Sequence, residues 1–140
     1  MREAIAKLHA VGLVEVEANR YTRVASRNED DYREASQLLA GYHELGEKWG
    51  VPLLSTTDRK ALRKRLSQLI KRLSDGELDA VHDLLDTQGE LVRASGSALF
   101  VRAEEPLRLR VEFLTQLDAS KIDMVSFADR AAILGQVLAG

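Results

Sequence analysis

Apolar positions along this chain recur at two different periods. Ile5, Leu8 and Val11, with Ala4 beside them, fall at helical spacing, and Gly12 follows where a left-handed cap would close a helix. Leu13-Val14-Glu15-Val16-Glu17 and Tyr21-Thr22-Arg23-Val24-Ala25 then alternate in the strand period, with Ala18-Asn19-Arg20 as a tight turn between them. From residue 28 onward the period returns to 3.6. Tyr32, Ala35, Leu39, Tyr42, Leu45 and Trp49 predict an amphipathic helix of about five turns. Asn28 caps it, Glu29, Asp30 and Asp31 favour its N-terminal dipole, and Gly50 and Pro52 end it.

Four further helices are predicted in turn. Ser55-Thr56-Thr57-Asp58 is a capping-box pattern that opens the second, with Leu62, Leu66, Leu69, Ile70 and Leu73 as its stripe. Its other side carries Arg59, Lys60, Arg63, Lys64, Arg65, Lys71 and Arg72, either a phosphate-binding face or a solvated one. Ser74 with Glu77 makes another capping box before Leu78, Val81, Leu85, Gln88 and Val92, a stripe broken only by its glutamine. Ser95-Gly96-Ser97 breaks the chain again. Residues 98–118 fit two periods: Leu107, Leu109, Val111 and Phe113 alternate like a strand, while Phe100, Ala103, Leu107, Val111 and Leu114 fit a helix. Helix is preferred, with Pro106 marking a kink or restart. Leu109, Phe113 and Leu117 form a second stripe, which calls for a second packing partner such as another subunit. A connector over 118–124 leads to a capping box at Ser126 and Asp129 and a last helix carrying Phe127, Ile133, Leu134, Val137 and Leu138. The expected fold is mostly α: a helix plus β-hairpin over 1–27, then an antiparallel bundle of about five helices over 28–140.

Composition narrows the classes. The chain has 140 residues, 45% hydrophobic and 30% charged, which suits one globular unit with a real core. A net charge of −2 gives no overall field toward nucleic acid, so any DNA affinity must come from a local patch. The absence of cysteine removes thiol catalysis and thiolate metal sites. No apolar run approaches the roughly 20 residues that span a bilayer, and no signal-peptide layout is present, so a cytoplasmic protein is expected.

A helix followed at once by a hairpin is the second half of a winged helix-turn-helix. Arg2-Glu3-Ala4-Ile5 through Leu8, Gly12-Leu13-Val14-Glu15, Asn19-Arg20 and Arg23-Val24 resemble the end of the DNA-binding domain of GntR-family transcriptional regulators. Residues 26–140 resemble, more loosely, the helical FCD effector domain of that family's largest branch, with Arg93-Ala94-Ser95-Gly96-Ser97 as the clearest stretch. Relative to that pattern the chain is expected to lack the first part of the winged helix and one final helix. The resemblance implies DNA contacts by Arg2, Lys7, Asn19, Arg20 and Arg23. It also implies double-stranded operator DNA and a second copy of the chain as partners.

In many such domains an aspartate and three histidines hold a metal. Aligned on the same stretches, the first histidine position falls on Gln88, the aspartate near Asp86 or Leu84, the second histidine on Arg130, and the third beyond Gly140. His9, His43 and His82 lie on three separate elements, and His82 with Asp86 at i, i+4 reads as an ordinary surface pair. No metal or other cofactor is therefore expected. Asp86, Gln88 and Arg130 are expected instead to bind a small organic acid, because a guanidinium fork matches a carboxylate. The plain alternative is that Arg130 pairs with a neighbouring acid. No enzyme is expected: there is no Gly-rich phosphate loop, nucleophile elbow or His-Glu-x-x-His, and the adjacent carboxylates Glu104-Glu105 read as exposed. The expected role is a ligand-sensing, dimeric DNA-binding regulator. The rival is a stand-alone dimerisation or interaction module.

Overall fold

The computed structural model describes residues 14–16, 22–24, 28–117 and 122–140. Strands β1 (Val14–Val16) and β2 (Thr22–Val24) pair antiparallel, with Val14 opposite Val24 and Val16 opposite Thr22. Two strands of three residues are marginal on their own. The helix expected over the first eleven residues lies outside the described residues, and so does the turn at 18–20. A winged helix-turn-helix remnant is therefore not seen in the described structure; what is seen is a helical bundle.

Five helices form it: α1 (Glu29–Gly50), α2 (Thr56–Ser74), α3 (Leu78–Ala94), α4 (Ala98–Leu117) and α5 (Met124–Ala139), with a 3-10 turn at Val51–Leu53. The centre is α3, which touches each of the other four. It buries Ala80, Val81, Leu84, Leu85, Leu91 and Val92, apolar side chains on more than one face, as a helix surrounded by neighbours must. α1 and α4 cover one side of it, α2 and α5 another, and Leu39, Leu66, Leu73, Leu134 and Leu138 complete the core. Among the described residues no helix is long and apolar enough to cross a membrane.

The caps explain where the helices begin. Asn28 accepts from the backbone N–H of Asp30 and Asp31, and Ser55 accepts from Asp58, as expected. Two other starts differ. Ser74 is the last residue of α2 rather than the cap of α3; Gly76 takes φ +79°, the Glu77 N–H returns to the Arg72 carbonyl at 3.1 Å, and the Glu77 carboxylate accepts from Arg72 Nε at 2.8 Å. The turn closes α2, and Arg72 takes the acid that a capping box would have used. α5 starts three residues before Phe127, capped by Asp123, which accepts from the Ser126 N–H at 3.1 Å. α4 runs through Pro106 as one helix, with no restart.

Two inward faces differ from the sequence pattern. On α1 the buried line is Ala35, Leu39, His43, Gly46 and Gly50, while Trp49 and Tyr42 sit beside it and pack edge-on against Phe100 at 5.5 and 5.9 Å. On α4 Glu104 and Arg108 turn inward and Ala103 outward, a rotation of one position.

Candidate functional site

Two polar constructions stand out. The first is a chain of ionisable side chains through the bundle between α1, α3 and α4. His43 Nε2 and Glu104 Oε2 lie 2.8 Å apart, both side chains 2% exposed. Arg108 Nε donates to Glu104 at 3.0 Å, and its Nη1 donates to Asp86 at 2.7 Å. Glu112 stands 3.7 Å from the same nitrogen. Gly89 of α3 makes room for this arginine: a Cβ there would lie 2.6 Å from Arg108 Nε. Glu104 is therefore buried, not exposed as its charged neighbours suggested. Nothing local in residues 104–105 marks it; the signal was Gly89, a residue without a side chain where α3 meets Arg108.

The Asp86 and Glu112 carboxyls are pushed in opposite directions. Burial pushes the Glu112 carboxyl upward, its hydrogen bond and repulsion with Asp86 add to that, and it reaches about 8. Burial also raises Asp86, but the bond to Glu112 and the charge of Arg108 outweigh it and hold Asp86 below its usual range. The sign for Glu112 follows from linkage. Its folded value lies above its ordinary 4.5, so its contribution is fully present below about 4.5 and is lost as pH rises through about 8. Thermal unfolding across that window is expected to show a falling midpoint for the parent chain and a flatter profile for Glu112→Gln. Equal slopes for the two proteins would refute the raised Glu112 carboxyl.

The second construction is a groove between α1 and α5, floored by α3, with a volume of about 800 Å³. Ala40, Gly41, Glu44 and Glu47 form one wall and Arg130, Ile133 and Val137 the other. Gln88 is its floor, only 5% exposed, and its Oε1 has no hydrogen-bond partner. Glu47 takes a hydrogen bond from Gln88, yet burial, with the charge of Glu44 adding to it, holds its carboxyl above the usual range. The Arg130 guanidinium lies 5.1 Å over the Phe127 ring. No carboxylate among the described residues lies within ion-pair distance of it.

The expected site residues thus separate. Gln88 and Arg130, from α3 and α5, line the same groove. Asp86 does not; two positions along a helix turn it away, to Arg108 and Glu112. Arg2, Lys7, Asn19 and Arg20 lie outside the described residues, and Arg23 is opposite Glu15 in the strand ladder. Part of the basic face of α2 is already engaged: Arg65 makes a bidentate pair with Glu90 at 2.9 and 3.0 Å, and Arg72 bridges Glu77 and Asp83. Among the described residues no three His, Asp or Glu side chains converge as metal ligands would. His82 faces Gln116 at 3.5 Å, on the flank of Asp86.

The groove is concave, partly apolar and polar at a few fixed points, which is the usual form of a small-molecule site. Sequence reasoning missed Glu44 and Glu47, whose helical spacing on α1 placed them on neither the apolar stripe nor any motif. No protein-family model matches the chain, and no solved structure matches it.

Proposed function

We propose that this chain is part of a DNA-binding transcriptional regulator whose helical bundle senses a small organic acid in the groove between α1 and α5. The observation that carries this reading is a guanidinium, Arg130, held in a groove without an acidic partner among the described residues and beside a buried, unsatisfied amide. A carboxylate would supply the charge-assisted pair that Arg130 lacks. The DNA half of the proposal rests on the sequence resemblance over residues 1–25, with Arg2, Lys7, Asn19, Arg20 and Arg23 as its contacts and operator duplex as its partner. A homodimer belongs to the same reading.

One observation favours a rival, an interaction module that binds no DNA. The outer side of α4 leaves Leu99 at 73%, Leu109 at 36% and Leu117 at 41% exposed, a stripe suited to a protein partner. A mobility-shift titration on the intergenic duplex beside the gene separates the two. The regulator reading expects weak binding that weakens steeply with salt and changes when small carboxylates are added. No shift at low salt would leave the interaction module as the better account.

A further inference from the structure

We infer that the ligand of this groove carries an ammonium group as well as a carboxylate, and so is an amino acid or a related amino carboxylate. The inference rests on reading the groove as the effector site. Its two walls differ in charge. The α1 wall presents Glu44 and Glu47, and neither lies at ion-pair distance from a basic side chain among the described residues. Lys48 shares that wall but stands exposed at its edge. The α5 wall presents Arg130. Between them Gln88 donates its amide N–H to Glu47 and leaves Oε1 buried and without a donor.

Each simpler ligand satisfies one side and offends the other. A plain carboxylate pairs with Arg130 but brings only acceptors toward Gln88 Oε1 and repulsion toward Glu47. A dicarboxylate doubles that repulsion. An amine supplies N–H donors to Gln88 and Glu47 and leaves Arg130 alone. A molecule with both groups supplies donors to the floor and the α1 wall and two oxygens to the guanidinium fork. The geometry also accommodates the carbon skeleton between them. A Cβ at Gly41 would meet nothing within 4 Å, so the α1 wall is open there, and Ile133 and Val137 offer an apolar flank on α5.

Calorimetric titration of the full chain with γ-aminobutyrate, 6-aminohexanoate, leucine and lysine tests this, against hexanoate, hexylamine and adipate as controls. At least one amino carboxylate is expected to bind about tenfold or more tighter than any control. Arg130→Gln and Glu47→Gln are each expected to weaken it by about tenfold, the usual cost of losing a charged hydrogen bond. Two substitutions on different walls keep the test usable if one of them perturbs folding. If hexanoate or adipate binds as tightly and Arg130→Gln abolishes that binding, the acid-sensing groove stands and the ammonium requirement falls. If no probe gives binding heat, both fall. Binding that survives both substitutions would place the ligand elsewhere and overturn the inference.

Discussion

Replacing Arg108 with methionine is expected to destabilise the chain by about 3–5 kcal/mol, the cost of leaving a buried charge without its partner. Arg108 is the hinge of the charge chain: it meets Glu104 at 3.0 Å, Asp86 at 2.7 Å and Glu112 at 3.7 Å. Methionine fills much of the same space and keeps the fit against Gly89, so the loss is electrostatic rather than a cavity. Without the guanidinium, Glu104 keeps only His43, and both are shut from water. Removing the whole inner set has a different expected result. His43→Leu, Glu104→Leu and Arg108→Met together leave no unpaired buried charge, because Asp86 is half exposed and can turn to solvent while the Glu112 carboxyl, raised to about 8, stays protonated. The triple variant should recover most of the lost stability. Urea unfolding of the single and triple variants reads this directly. A single variant within about 1 kcal/mol of the parent would mean that the buried pairing carries little of the fold's stability.

Gly50→Ala is expected to cost about 1–3 kcal/mol or more, through overpacking. A Cβ at residue 50 would fall on the carbonyl oxygen of Leu91, a backbone atom of the central helix that cannot rotate away. Gly46, one turn earlier, faces Val92 Cγ2 at 2.8 Å, a side-chain methyl rather than a backbone atom, and farther away than the Leu91 oxygen is from residue 50. The pair lets α1 approach α3 closely, and the close approach positions the α1 wall of the groove. Gly46→Ala should therefore cost clearly less than Gly50→Ala, although alanine is the better helix former at both positions. Thermal unfolding of the two variants gives the order; the reverse order would contradict the close contact of Gly50 with the Leu91 carbonyl.

Helices were legible in this sequence wherever a stripe of leucines met a clear stop. α2 shows it best: Leu62, Leu66, Leu69 and Leu73 are all buried, and Ser55 caps as its pattern says. The starts of α3 and α5 were not legible in the same way. Ser74 and Ser126 each had an acid three residues on, but Glu77 had a better partner in Arg72, and Asp123 reached the helix end first. Buried charge was harder still. His43 and Glu104 meet across 61 residues of chain, so no local period can announce them. For the groove, Gln88 was visible as a polar break in an apolar stripe. Arg130 became visible only through the GntR-family resemblance, and Glu47 through neither. Asp86 lies two residues from Gln88 in sequence yet faces Arg108 rather than the groove, a direction that nearness in sequence does not reveal.

A small carboxylate-bearing ligand is expected to enter between α1 and α5. Amide chemical-shift mapping during titration with 6-aminohexanoate and, separately, hexanoate tests it at residue resolution. The expected shifts are confined to residues 40–48, Gln88 and residues 130–137, together with a shift of the Arg130 side-chain Nε–H. Shifts gathered instead around Asp86, Arg108 and Glu112, or no saturable shift with either compound, would contradict entry between α1 and α5.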